Sequence, residues 1–175
     1  PNHLFYNDEL IDGVNNEDRQ IEQNFANTYK IHSHFNFVNY EKSEEEINLI
    51  FKFVNALIKS GINQSQIGVI SAYNKQAELI SQEFVKSFIN VKVSTIKSFQ
   101  GSQKDYIIFS TTETGNKPKF LKDEELINVA ITRAKCMVAI FGNAEVLMES
   151  KCWESVIEYA KNNNSFFEKL PVVFD

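Results

Sequence analysis

Three apolar, β-branched runs lie within residues 93–143 and are separated by two polar joints, and no other feature of the 175-residue chain constrains its fold as tightly. Continuous runs of this kind belong to strands buried on both faces, which occur in parallel sheets covered by helices. The first joint reads Ser98-Phe99-Gln100-Gly101-Ser102-Gln103. The second reads Asn128-Val129-Ala130-Ile131-Thr132-Arg133-Ala134-Lys135. Both are expected where strands hand over to loops or helices, and at carboxyl ends of strands such loops are held rigidly while staying open to ligands.

Flanking patterns extend the same architecture. Residues 1–27 are polar with Asp12-Gly13 and Asn15-Asn16 turn signals, and read as a connecting segment; residues 28–175 form the domain. Alternation predicts a strand over 29–38. Ser43 followed by Glu46 predicts a capping box, with Ile47, Ile50, Phe51, Val54, Leu57 and Ile58 forming a helical stripe and Gly61 the left-handed stop. Further strands are predicted over 67–70, 91–96, 106–110 and 137–141. Helices are predicted over 74–88, with Ala77, Ile80, Phe84 and Phe88 inward, and over 123–133. A last helix, over 145–161, has a break near Lys151 and ends at Asn162-Asn163-Asn164. The order βαβαββαβα implies an α/β fold with a parallel sheet between helical layers.

Composition narrows the chemistry. Two cysteines, Cys136 and Cys152, leave no disulfide framework and no zinc pattern, and three histidines lack partners at ligand spacing. The cytoplasm or nucleus is the expected compartment, and no run approaches the roughly 20 apolar residues of a membrane span. A first residue that is Pro suggests a piece of a longer protein. The net charge of −5 is unevenly spread: residues 1–50 carry ten acids and three bases, whereas residues 91–135 carry eight bases and five acids. The joints therefore sit in a locally basic stretch. Of only two arginines, Arg19 and Arg133, one lies inside the second joint, where a planar, always-charged fork suits phosphate.

Each joint has a functional and a plain reading. Gly101 lets its amide approach a phosphate or sugar closely, or is an ordinary turn glycine. Thr95, Lys97 and Ser98 offer hydroxyls and an ammonium suited to a nucleic-acid backbone, although a loop lysine is also commonly just solvated. Arg133, at the end of a helix, either stabilises charge on a transferred phosphoryl group or caps that helix. Ser71 to Asn74 ends a strand and opens a helix, presenting a hydroxyl and free amides to an anion; Tyr73 stacks on a base or packs in the core.

Taken together and in order, these pieces resemble the second RecA-like domain of superfamily 1B helicases, closest to the group containing the nonsense-mediated-decay helicase and senataxin. The resemblance runs through Leu4-Phe5-Tyr6 with Gly13-Val14, Ile67 to Tyr73 with Gln76, Ser98 to Asp105, Leu126 to Lys135, and Phe141-Gly142-Asn143. It implies a P-loop-NTPase-type domain lacking its own P-loop, and an ATP-dependent 5′ to 3′ RNA or DNA helicase or translocase. In that family the residues matching Gln100, Gly101 and Gln103 belong to the motif touching both nucleotide and nucleic acid. Arg133 matches the arginine finger on the γ-phosphate, and Ser71, Tyr73, Thr95, Lys97 and Ser98 are expected on the single strand.

ATP with Mg²⁺ is the implied cofactor. Its phosphate loop and magnesium ligands are expected on the first RecA-like domain of the same chain, because no Gly-x-x-x-x-Gly-Lys-Ser/Thr occurs here. This piece alone is accordingly expected to be inactive, and an arginine-containing motif is expected just before Pro1. Two positions depart from the family: Gln103 stands where an acid usually holds the ribose, and Glu125-Leu126 replaces a common arginine pair. The rival expectation, favoured by Gln103, is a non-catalytic nucleic-acid or protein-binding module.

Overall fold

The computed structural model of the protein describes residues 20–99, 102–112, 128 and 131–171. Among the described residues six strands form one sheet: β1 (Phe35–Asn39), β2 (Ile67–Ser71), β3 (Lys92–Thr95), β4 (Lys104–Ser110), β5 (Ala134–Gly142) and β6 (Phe166–Phe167). All neighbours pair in parallel, in the order β3-β2-β4-β5-β1-β6. Described helices are α1 (Gln23–Tyr29), α2 (Glu46–Lys59), α3 (Asn74–Lys86), α4 (Ala144–Leu147) and α5 (Lys151–Asn162).

Period-two alternation assigns the strand side chains to two cores. Tyr106, Ile108, Met137, Ala139 and Phe141 join α1, α2 and α3 on one face. Ile107, Phe109, Val138 and Ile140 join Trp153, Val156 and Ile157 of α5 on the other. The chain moves across the sheet from β1 to β3 with α2 and α3 on the first face, then reverses from β3 to β6 with α5 on the second. A right-handed crossover requires that change of face when the direction reverses. The expected RecA-like α/β sandwich is therefore present.

Local differences have physical causes. The segment read as purely connecting ends in helix α1, because Phe25 is fully buried against Phe53 at 5.6 Å between ring centres. The strand predicted over 29–38 shrinks to Phe35–Asn39, since Tyr29 closes α1 and Lys30 turns left-handed. Ser43 and Glu46 form no capping box: Ser43–Glu45 is a 3-10 turn, and Glu46 starts α2 with its side chain fully buried. Phe88, expected inward, is 94% exposed at φ 57°, one residue beyond the C-cap of α3. Gly61 takes the left-handed conformation predicted for it, φ 98°. The break near Lys151 separates α4 from α5, and β6 follows as an edge strand too short for alternation to reveal. Of the helix predicted over 123–133, Asn128, Ile131 and Thr132 are helical; 123–127, 129 and 130 lie outside the described residues.

Candidate functional site

The parallel register divides the candidate residues between two ends of the sheet. β2 and β3 run side by side with Ser71 opposite Thr95, so Ser71, Tyr73, Thr95, Lys97 and Ser98 gather at their carboxyl ends. β4 and β5 start side by side, with the Lys104 amide donating to the Arg133 carbonyl at 3.1 Å. Gln103 and Arg133 therefore gather at the amino ends. The seven residues of β4, at about 3.3 Å each, hold the two groups roughly 20 Å apart. This corrects the expectation that both joints sit at carboxyl ends: the second precedes its strand, and in a parallel sheet the start of a strand lies at the other edge of the layer.

At the carboxyl end the polar groups largely satisfy one another. Ser71 is buried, and its hydroxyl donates to the Tyr73 carbonyl at 3.0 Å and accepts from the Tyr73 amide at 3.2 Å. Thr95 and Ser98 close their turn reciprocally: the Thr95 amide donates to the Ser98 hydroxyl at 3.0 Å, which donates to the Thr95 carbonyl at 3.1 Å. Lys97, at the tip of that turn, is exposed. Tyr73 is half-buried as the N-cap of α3, and its side chain makes no capping bond. Beside them an open polar groove of about 630 Å³ runs between α3 and β3, floored by Ser94 and Thr95 and rimmed by Asn74, Ser81 and Gln82.

The amino end is different. Arg133 occupies the turn between the helical residues and β5; it is half-buried, and its Nε is buried without a hydrogen-bond partner among the described residues. A buried guanidinium NH is costly to leave unpaired, so this atom marks a position suited to an acceptor supplied from outside. Gln103 is exposed beside it, and Gln100 and Gly101 lie outside the described residues.

Sequence reasoning missed what joins the ends. Phe99 is 1% exposed and fills space over Gly68, where an added Cβ would stand 3.2 Å from the Phe99 ring and 3.1 Å from Lys104 Cγ. The aromatic of Phe-Gln-Gly thus anchors the crossing between β3 and β4 to the second core. A second missed feature is Glu46, fully buried at the carboxyl ends with hydroxyls from Tyr40, Ser110 and Thr112 around it. Burial pushes its carboxyl above the usual 4.5, against the lowering effect of those donors. Burial and the neighbouring carboxyl also keep the Tyr40 phenol protonated. The only sequence signal was Glu46 itself, shared with the capping-box pattern.

Among the described residues no group of three His, Cys, Asp or Glu can hold a metal, and no helix is long and apolar enough to cross a membrane.

A family model described as an AAA domain matches residues 1–145. The chain is 31% identical over 189 residues to Regulator of nonsense transcripts 1 of Caenorhabditis elegans, covering 96% of the chain and 18% of that relative. It is 29% identical over 133 residues to Probable RNA helicase armi of Drosophila melanogaster, covering 70% of the chain and 11% of that relative. The chain thus spans less than a fifth of either relative. A solved structure, the C-terminal domain of a possible DNA helicase from Lactobacillus plantarum WCFS1, shares the fold: TM-score 0.57 at 12% identity, over 86% of this chain and 98% of that one. With the Phe-Gln-Gly and Thr-Arg-Ala-Lys joints set on this parallel sheet, the chain belongs to the AAA-domain family, as the second RecA-like domain of a superfamily 1B helicase.

Proposed function

We propose that this domain is one half of an ATP-driven 5′ to 3′ helicase or translocase, meeting nucleotide at the amino ends of β4 and β5 and a single strand of RNA or DNA at the carboxyl ends of β2 and β3. The observation that carries the reading is Arg133, whose buried Nε has no partner among the described residues. That atom fits a phosphate oxygen delivered by the facing first domain of the same chain. Bound ATP with Mg²⁺ would supply the transferable phosphoryl group. Arg133 would offset charge growing on that group, as an arginine finger does, while Gln100, Gly101 and Gln103 would flank the nucleotide. The magnesium ligands and phosphate cradle fall to the first domain, and residues 1–27 to a connection within the same chain.

At the other end Lys97 meets a phosphate, Tyr73 offers a ring to a base, and Ser71, Thr95 and Ser98 shape the turns that present them. Contacts of this kind address the backbone more than the sequence.

The test uses duplexes with 5′ or 3′ single-stranded overhangs and the intact protein. ATP-dependent unwinding is expected from the 5′ overhang only, and the isolated 175-residue chain is expected to show no strand-stimulated turnover. Turnover by the isolated chain that survives repurification and scales with its concentration would overturn the half-site reading.

A further inference from the structure

Glu46 is the least expected group in the fold. It is 0% exposed, and no lysine or arginine pairs with it among the described residues. Four side chains point their donors at it instead. The Ser110 and Tyr40 hydroxyls donate to its two oxygens, the Thr112 hydroxyl donates at 2.5 Å, and Gln76 Nε2 approaches at 3.5 Å. The Tyr40 and Thr112 hydroxyls also touch each other.

What matters is where the four come from. Ser110 ends β4, and Thr112 lies two residues further on, at the root of the stretch that returns at Arg133. Gln76 is in the first turn of α3, three residues after Tyr73, and its neighbours Asn74 and Ala77 line the groove. Tyr40 follows β1. Backbone bonds knit the same ends: Ala72 N to Ser110 O at 3.1 Å, Thr111 N to Phe141 O at 3.3 Å, and Tyr40 N to Gly142 O at 3.3 Å. Because α3, after β2, packs in the first core and Ile131, in the connection after β4, packs in the second, the crevice between the ends of β2 and β4 is a switch point of the sheet, where such folds open. Here Glu46 closes it from the α2 side.

A buried carboxyl is a costly brace, since apolar groups of the same shape can stabilise about as well. It does have one property that an apolar cluster lacks. Its hydrogen bonds are directional, so a shift of α3 against β4 breaks them rather than sliding past. We propose that Glu46 is a positioning residue that locks the strand-facing start of α3 to the exit of β4, so that a strand bound at the carboxyl ends is sensed through β4 at Arg133, whose carbonyl accepts from the first amide of β4. The proposal rests on the two-ended reading above and adds the link between the ends.

The test measures the ratio of strand-stimulated to basal ATP turnover in the intact protein, for Glu46→Gln and for Thr112→Val. Glutamine keeps the shape but turns an acceptor into a donor among donors; valine removes one hydroxyl at the rim. Each should lower the ratio about tenfold, the scale of leaving one buried polar group unsatisfied. Basal turnover and single-strand affinity should stay within about twofold of the parent, on the same scale. Glu46→Asp, which keeps the carboxyl, should recover part of the ratio. If Glu46→Gln fails to fold, Thr112→Val carries the test. An unchanged ratio in a folded variant overturns the link, and so does an equal drop in basal and stimulated turnover, which marks a merely structural brace. If Arg133→Ala also leaves turnover intact, the two-ended reading itself is wrong; if Arg133→Ala abolishes turnover while the ratio is unaffected by the Glu46 and Thr112 changes, only the link is.

Discussion

The two ends of the sheet handle their polar groups in opposite ways. At the carboxyl ends, Ser71 bonds to Tyr73, Thr95 to Ser98, and Glu46 to Tyr40, Ser110 and Thr112, so that end is preassembled. At the amino ends, Arg133 Nε is buried without a partner among the described residues. A surface whose groups are already satisfied can bind a flexible strand with little rearrangement, whereas an orphaned guanidinium NH gains most when a fixed acceptor arrives. The difference teaches that the carboxyl end pairs its polar groups within the fold, whereas the amino end keeps one buried donor without a partner among the described residues.

The sharpest way to break this contrast is at Arg133. In the intact protein Arg133→Ala should cut ATP turnover by roughly 10³-fold or more, the usual worth of an arginine acting on transition-state charge. Steady-state turnover measured beside a thermal melt decides the matter. A helix cap would instead lose about 1 kcal/mol of stability and keep its turnover.

Phe99 lies between the ends and should cost nearly as much, in stability. Phe99→Ala empties a site that is 1% exposed and should destabilise by about 3–5 kcal/mol in urea unfolding. Gly68→Ala, which pushes a Cβ toward the same ring, should cost about 1–3 kcal/mol. Gly68→Ala without effect would mean that the crossing is not anchored there.

A gentler probe is pH. The folded carboxyl of Glu46 sits above its ordinary value of 4.5, so the native state holds that proton after the unfolded chain has released it. Its stabilising contribution is therefore full below the unfolded value and is lost as pH rises through the folded one. The Tyr40 phenol facing it stays neutral throughout, and the other neighbours do not titrate. The stability of the parent relative to Glu46→Gln should fall as pH rises across that window. A pH-independent difference in melts at matched ionic strength would contradict the buried, proton-retaining carboxyl.

The smallest expected effect is at Lys97. One phosphate contact releases about one counterion, so Lys97→Ala in the intact protein should lower the slope of log affinity against log salt by about 1, equally for two unrelated strands. An unchanged slope would mark Lys97 as a solvated lysine and move the strand away from that turn.

The sequence by itself determined most of the elements and the family. β-branched runs, helical stripes and Gly61 specify strands, helices and a stop through local preferences, and the two joints are spaced closely enough along the chain to be read as motifs. It also singled out Arg133, because a lone arginine in a lysine-rich stretch is a local fact. Only the tertiary structure decided which end of the sheet each joint occupies, since that depends on strand direction and on the reversal of the crossover after β3. The same holds for Glu46: Ser43 and Glu46 fit a cap locally, and three hydroxyls brought from β1, β4 and beyond outcompeted the exposed amide. Phe99 likewise looked like one letter of a motif until folding set it over Gly68, a residue 31 positions earlier whose missing side chain makes the room. Local interactions are written in neighbouring residues; contacts across a sheet exist only once chain reversal has brought distant residues to the same face.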